Sequence, residues 1–207
     1  MKKDAKKKGL FIVFEGLDGA GQDTQMAILK EYLLNRREKV YQTGEPSQNL
    51  IGGLIRSLLR HHWKMSNTGL QLLYCADRAH HLECEILPVL EKNTHVICGR
   101  YRFSTIAFGS LDNGVDWLES LNRSFPEPDM TIFLDVKPKE CIRRINSSRP
   151  SKEIFEKVAK LEVVYKTYKK LVASKKYKNV FSVDGDRDKE LVSADIQSIV
   201  AKFLVKK

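Results

Sequence analysis

Residues Phe11 to Gln25 read Phe-Ile-Val-Phe-Glu-Gly-Leu-Asp-Gly-Ala-Gly-Gln-Asp-Thr-Gln, an apolar run, a glycine-rich turn and a helix start in unbroken succession. The run from Phe11 to Phe14 has the pattern of a strand buried on both faces, and it stops at Glu15 and Gly16. After the turn, Met26, Ile28, Leu29, Tyr32, Leu33 and Leu34 recur at helical spacing as far as Arg36. A turn in that position aims backbone N–H groups and a helix N-terminus at one point, where an anion satisfies them. Glycines at 16, 19 and 21 let the backbone approach closely. The stretch therefore predicts a cradle for nucleotide phosphates, formed by Gly16, Leu17, Asp18, Gly19, Ala20, Gly21, Gln22, Asp23 and Thr24. The competing reading is a strand, turn and helix whose glycines serve packing alone.

Compared with a full Walker A motif, the cradle has Gln22 where a Lys reaches the β/γ-phosphates and Asp23 where a hydroxyl reaches Mg²⁺. An amide still donates hydrogen bonds, but a charged bond contributes roughly 1.5–3 kcal/mol against about 0.5–1.5 for a neutral one. Phosphate affinity is expected to weaken without vanishing, and the larger loss to fall on transition-state charge. A carboxylate beside phosphate oxygens needs a cation between them. Asp23 is therefore expected to ligate the metal, with Thr24 as the alternative hydroxyl.

Outward from the cradle, short strand patterns at Val40 to Thr43, His95 to Cys98, Met130 to Val136 and Val180 to Val183 alternate with helical ones. Helices are expected over 24–36, 49–60, 68–92 with a disturbance at Pro88, 103–109, 115–124, 138–147, 152–174 and 187–204. That alternation predicts an α/β fold of three layers, a mostly parallel five-stranded sheet flanked by helices, with ligands at the strands' carboxyl ends.

No repeat, low-complexity tract or linker divides the 207 residues, so we expect a basic flexible N-terminus over 1–9 and one domain over 10–207. A net charge of +10 points to anionic partners, but five lysines lie between Met1 and Lys8 and two more close the chain. With no zinc spacing and no basic-aromatic interleaving, nucleic acid is not the expected partner. Cys75, Cys84, Cys98 and Cys141 are scattered and read as buried free thiols of a reducing compartment. The first apolar run is too short for a signal peptide and none approaches membrane-spanning length, so a cytoplasmic protein without membrane contact is expected.

The remaining candidates follow predicted strands. Glu45 stands in the Gly-Pro loop after the second strand, ahead of a helix carrying Arg56. Tyr74 and Arg78 are four apart, on one helix face, where a ring that stacks and a guanidinium that bonds a base edge make a nucleobase reader. Their bland reading is a core tyrosine and an arginine paired to a nearby acid. Asp77 and the pairs His61-His62 and His80-His81 read as surface or satisfied core residues. Arg100 ends the third strand and faces the cradle, which suits phosphate, whereas Arg102 reads as solvated. Arg143, Arg144 and Arg149 surround a turn-rich segment that suits a lid over polyphosphate near 143–151, or else an exposed interhelix loop.

In this order, these segments resemble the thymidylate kinase family of P-loop nucleoside monophosphate kinases: the phosphate loop, Glu45-Pro46, the Leu72 to Arg78 segment, Val96 to Tyr101, Pro128 to Val136, and the arginine lid. The resemblance implies the P-loop NTPase fold, Mg²⁺, a homodimer, and transfer of the ATP γ-phosphoryl group to dTMP. By the same resemblance, Arg56 and Arg100 hold the acceptor monophosphate, and Asp18 and Glu45 contact its sugar or metal-bound water. Tyr74 stacks on the base, Arg78 bonds it, and Thr105 and Phe108 line its pocket. Arg143 and Arg149, with Arg100 and Gln22, act on the transferred group.

The chain departs from that pattern at Gln22 and Asp23, at Gly99 in place of Asp, and at Gly109 in place of a base-reading Gln. Three of these changes share the phosphate and metal pocket, which leaves a catalytically silent nucleotide-binding homologue as the second reading. Gly109 leaves open a kinase for another pyrimidine monophosphate.

Overall fold

A computed structural model describes residues 8–145 and 152–205, with side chains from 158 onward in the second stretch. The elements are β1 (Phe11–Gly16), α1 (Gln22–Asn35), β2 (Val40–Gly44), α2 (Leu50–Leu59), α3 (Asn67–His81), α4 (Leu87–Glu91), β3 (His95–Gly99), α5 (Arg102–Gly109), α6 (Val115–Asn122), β4 (Met130–Asp135), α7 (Pro138–Ile145), α8 (Lys152–Ala173), β5 (Val180–Asp184) and α9 (Lys189–Leu204). The five strands form one sheet in the order β2-β3-β1-β4-β5, and every neighbouring pair is parallel. All five expected strands are present, and the sheet is parallel throughout rather than mostly so.

β1 is the middle strand, and its apolar run is explained by where its side chains go. Ile12 and Phe14 enter one core with Met26, Leu29 and Leu33 of α1, while Phe11 and Val13 enter a second with Leu82, Ile86 and Leu90. Alternate residues of a strand point to opposite faces, so a strand covered on both sides is apolar at every position. β1 pairs with β3 through Phe11 and Val96 and with β4 through Ile12 and Met130. The loops leaving the carboxyl ends of these three strands therefore meet in one crevice, the usual ligand position in such sheets.

The long helix expected over 68–92 is broken. α3 ends at His81, Leu82–Ile86 form one π-helical turn, and α4 resumes at Leu87. Pro88 has no N–H for the carbonyl four residues earlier and its ring would press on it. The wider turn, in which the Leu87 N–H bonds the Leu82 carbonyl, relieves that conflict. α1 starts two residues earlier than expected, which places Gln22 and Asp23 in its first turn.

Three side-chain expectations are corrected. Arg102 is buried against Glu127, with its guanidinium 5.0 Å from the Tyr177 ring centre. Cys84 is exposed and Cys75 half-buried, so only Cys98 and Cys141 are buried thiols. His81 is a buried histidine that meets the Thr43 hydroxyl at 2.8 Å but leaves its Nδ1 without a hydrogen-bond partner. Among the described residues no helix is long and apolar enough to cross a membrane.

Candidate active site

The phosphate loop leaves β1 at Gly16 and encloses, with Arg100, a cavity of 290 Å³ lined by Leu17 to Thr24. Gly19 and Gly21 take left-handed backbone angles, φ 82° and 94°. A Cβ on Gly19 would lie 2.6 Å from the Cys141 carbonyl oxygen, so the loop backs directly onto α7. The N-cap of α1 is Gly21, which has no side chain to bond the first N–H groups of the helix. The first N–H groups of α1 are thus left for an anion. Gln22 stands beside Gly16, and its Nε2 is buried without a hydrogen-bond partner. Asp23 and Thr24 are exposed at the mouth.

Arg100 joins this cavity to a larger one. Its backbone is left-handed at φ 65°; its Nη1 donates to the Gly16 carbonyl and Ser104 hydroxyl, both at 3.2 Å, and its Nη2 to Asp18 at 2.6 Å. The turn that carries it is fixed by Glu15, which accepts from the backbone N–H groups of Tyr101 and Ser104 and from the hydroxyls of Ser104 and Tyr168. Burial pushes the Glu15 carboxyl above its ordinary value, against the opposing pull of Ser104 and Arg100.

The larger cavity, 430 Å³, is lined by Asp18, Glu45, Tyr74, Arg78, Arg100, Thr105 and Phe108, which brings together seven of the eight expected acceptor residues. The eighth, Arg56, lies outside this lining and donates to the carbonyls of Pro46 and Ser47, bracing the loop behind Glu45. Arg78 is 1% exposed. Its Nε and Nη2 grip Glu45, Nη2 also reaches Thr105 at 3.0 Å, and Nη1 donates to Asn122. Arg78 is therefore both the acid-paired arginine of the bland reading and a wall of the cavity. Burial would lower its pKa, but Glu45 raises it and keeps the charge in place. Ser47 ties the same loop to Asp77 by its N–H and hydroxyl, which gives Asp77 a structural role. Burial pushes the Tyr74 phenol up to about 12, so it enters the cavity as a neutral ring.

The family model for thymidylate kinase matches residues 14–196. A thymidylate kinase from Thermosipho melanesiensis is 35% identical over 94% of this chain and 99% of its own length. One from Plasmodium falciparum is 36% identical, covering 98% and 94%, and a probable thymidylate kinase from Pyrococcus abyssi is 36% identical, covering 96% and 98%. The chain belongs to the thymidylate kinase family.

Within this thymidylate kinase site, the altered positions turn out to be neighbours. Gln22, Asp23 and Gly99 line one 610 Å³ cavity together with Met26, Glu45 and Arg100. A Cβ on Gly99 would lie 3.0 Å from the Met26 methyl and 3.2 Å from its sulfur, so the thioether fills room that a carboxylate at 99 would need. Among the described residues no three His, Cys, Asp or Glu side chains are grouped to hold a metal. Asp23, in the first turn of α1, is the exposed carboxylate on the wall of this cavity.

The lid arginines are only partly visible. Arg143 and Arg144 lie in the last turn of α7, inside the helix expected over 138–147, and both are paired to Glu140. Arg143 is 74% exposed at its side chain. Arg149 and most of the expected lid lie outside the described residues.

Sequence reasoning missed Glu15, Gln71, Asn122 and Tyr168. A carboxylate closing an apolar central strand was the available signal for Glu15, and the spacing of Gln71 three residues before Tyr74 was the signal for Gln71. Asn122 and Tyr168 reach the site from α6 and α8, and nothing local in the sequence marks them.

Proposed function

We propose that this thymidylate kinase family member transfers the γ-phosphoryl group of ATP to dTMP, giving ADP and dTDP, with Mg²⁺ as the metal. The observation that carries the reading is the position of Arg100, which lines both the phosphate-loop cavity and the acceptor cavity. A donor phosphate held by the loop and an acceptor phosphate in the larger cavity meet at that guanidinium. An acceptor phosphate oxygen attacks the γ-phosphorus in line, and the bond to the β–γ bridging oxygen breaks. Alignment and spread of positive charge supply most of the acceleration in such a transfer.

In this reading the first-turn N–H groups of α1 and the Gln22 amide hold the donor, and Arg100 aligns the two phosphates. Asp18 fixes Arg100, while Tyr74, Thr105 and Phe108 bound the base. Arg56 acts on the acceptor through the Pro46-Ser47 loop that it braces. Arg143 and Arg149 supply the charge that Gln22 lacks. Asp23 holds the metal, which neutralises phosphate charge when bound. The reading also takes residues 10–207 as one domain in a cytoplasmic homodimer. Exposed Leu50 and Leu54 of α2 and Leu72 of α3 offer the apolar surface.

The test is ADP production with ATP, Mg²⁺ and a panel of nucleoside monophosphates, for the natural chain and Gln22→Lys. Turnover with dTMP is expected, and the added charge is expected to raise kcat about tenfold, the difference between a neutral and a charged hydrogen bond. Nucleotide binding without turnover for any acceptor would establish the silent homologue instead.

A further inference from the structure

One residue that lines the acceptor cavity carries a buried polar atom with no hydrogen-bond partner among the described residues. Gln71 is 2% exposed and lines the cavity beside Tyr74 and Arg78, and its Oε1 has no hydrogen-bond partner among the described residues. On α3 it lies one turn before Tyr74 and two before Arg78, hence on the same face.

A chain of amides fixes which end of Gln71 meets a ligand. An ionised Asp112 can only accept, and it takes an N–H from Asn67 at 2.5 Å. That turns the Asn67 oxygen toward Gln71, whose Nε2 donates to it at 2.8 Å. The carbonyl end of Gln71 is what remains for the cavity. Gly109 leaves the room: a Cβ there would lie 3.2 Å from the Gln71 carboxamide carbon and 2.7 Å from Leu118.

We propose that Gln71 selects the acceptor's base by taking a ring N–H on its Oε1. Arg78 complements it, since its Nη1 keeps one N–H beyond the bond to Asn122. An acceptor atom and a donor on one wall match the imide edge of thymine or uracil, where N3–H adjoins a carbonyl. Cytosine presents the reverse, a bare N3 beside an amino group, and meets oxygen with lone pair and guanidinium with N–H. This assigns the base class of the acceptor named above and rests on that reading.

The experiment titrates dTMP, dUMP and dCMP into the full chain by calorimetry without ATP, alongside ADP release with ATP. The natural chain is expected to bind dTMP and dUMP at least about tenfold more tightly than dCMP, as one well-placed hydrogen bond allows. Gln71→Met keeps the volume and removes the acceptor; dTMP affinity should fall about tenfold and dCMP affinity stay. Asn67→Ala, at the first residue of α3, frees the amide to turn its NH₂ inward, so dCMP should gain on dTMP. A dTMP:dCMP ratio unchanged in both variants, or a natural chain that prefers dCMP, overturns the proposal. Selective dTMP binding without ADP release refutes the kinase reading and leaves the ratio test in force.

Discussion

Gly19 and Gly21 share a left-handed backbone but not their surroundings, so together they separate two costs of a side chain in the phosphate loop. At Gly21 a methyl group meets nothing within 4 Å, and only the backbone penalty of about 1–2 kcal/mol applies. At Gly19 it meets the Cys141 carbonyl and the Ile145 side chain as well, which adds roughly 1–3 kcal/mol. Urea unfolding should therefore find Gly19→Ala about 2–5 kcal/mol less stable than the natural chain and Gly21→Ala about 1–2. Equal losses would mean that the loop does not rest on α7. The residue scale is also where the sequence was least informative. Gln22 and Asp23 were visible as departures, but Met26 filling the space beside Gly99 required the fold. Arg102 read as solvated because its partner Glu127 lies across a turn that only tertiary structure closes.

At the scale of elements, α7 ends in a clasp: Glu140 binds Arg143 at 2.6 and 2.7 Å and Arg144 at 2.7 Å. Hydrogen bonds from Arg143 and then Arg144 pull the Glu140 carboxyl from its ordinary 4.5 down to about 2. A depressed carboxylate stabilises the folded chain above its unfolded pKa and stops doing so as pH falls through the folded one. The melting temperature gap between the natural chain and Glu140→Gln should be full above pH 4.5 and vanish near pH 2. It should be small throughout, because the clasp stands in water. A gap that persists at pH 2 would show that Glu140 acts through packing instead. Elements were the most legible level, since β1, β3 and β4 are apolar runs that only doubly covered strands require. The helix break near Pro88 was legible too, but its form was not. The π-helical turn over Leu82–Ile86 brings both end residues into the second core, a placement that no local pattern encodes.

For the whole molecule, a net charge of +10 raises the local concentration of anionic nucleotides. Raising salt from about 0.05 to about 0.5 M should lower kcat/KM for ATP several-fold while kcat changes less, because screening acts on encounter. Parallel losses in both would place the salt effect in the chemical step. The acceptor cavity was legible in outline because Glu45, Tyr74, Arg78 and Arg100 all follow or face strand ends, while Gln71 was not, since a glutamine on a helix ordinarily reads as solvated. The sheet order also bears on how the chain is made. β1 leaves the ribosome first, yet its neighbours on either side begin only at His95 and Met130. At about 5–20 residues per second, Phe11 to Phe14 wait on the order of ten seconds before both faces and both edges can be covered. Until β3 is made the strand that carries the phosphate loop is an unpaired apolar template, and until β4 follows it keeps one open edge. Lys6, Lys7 and Lys8 precede it closely, where like charges keep one nascent copy from pairing with another.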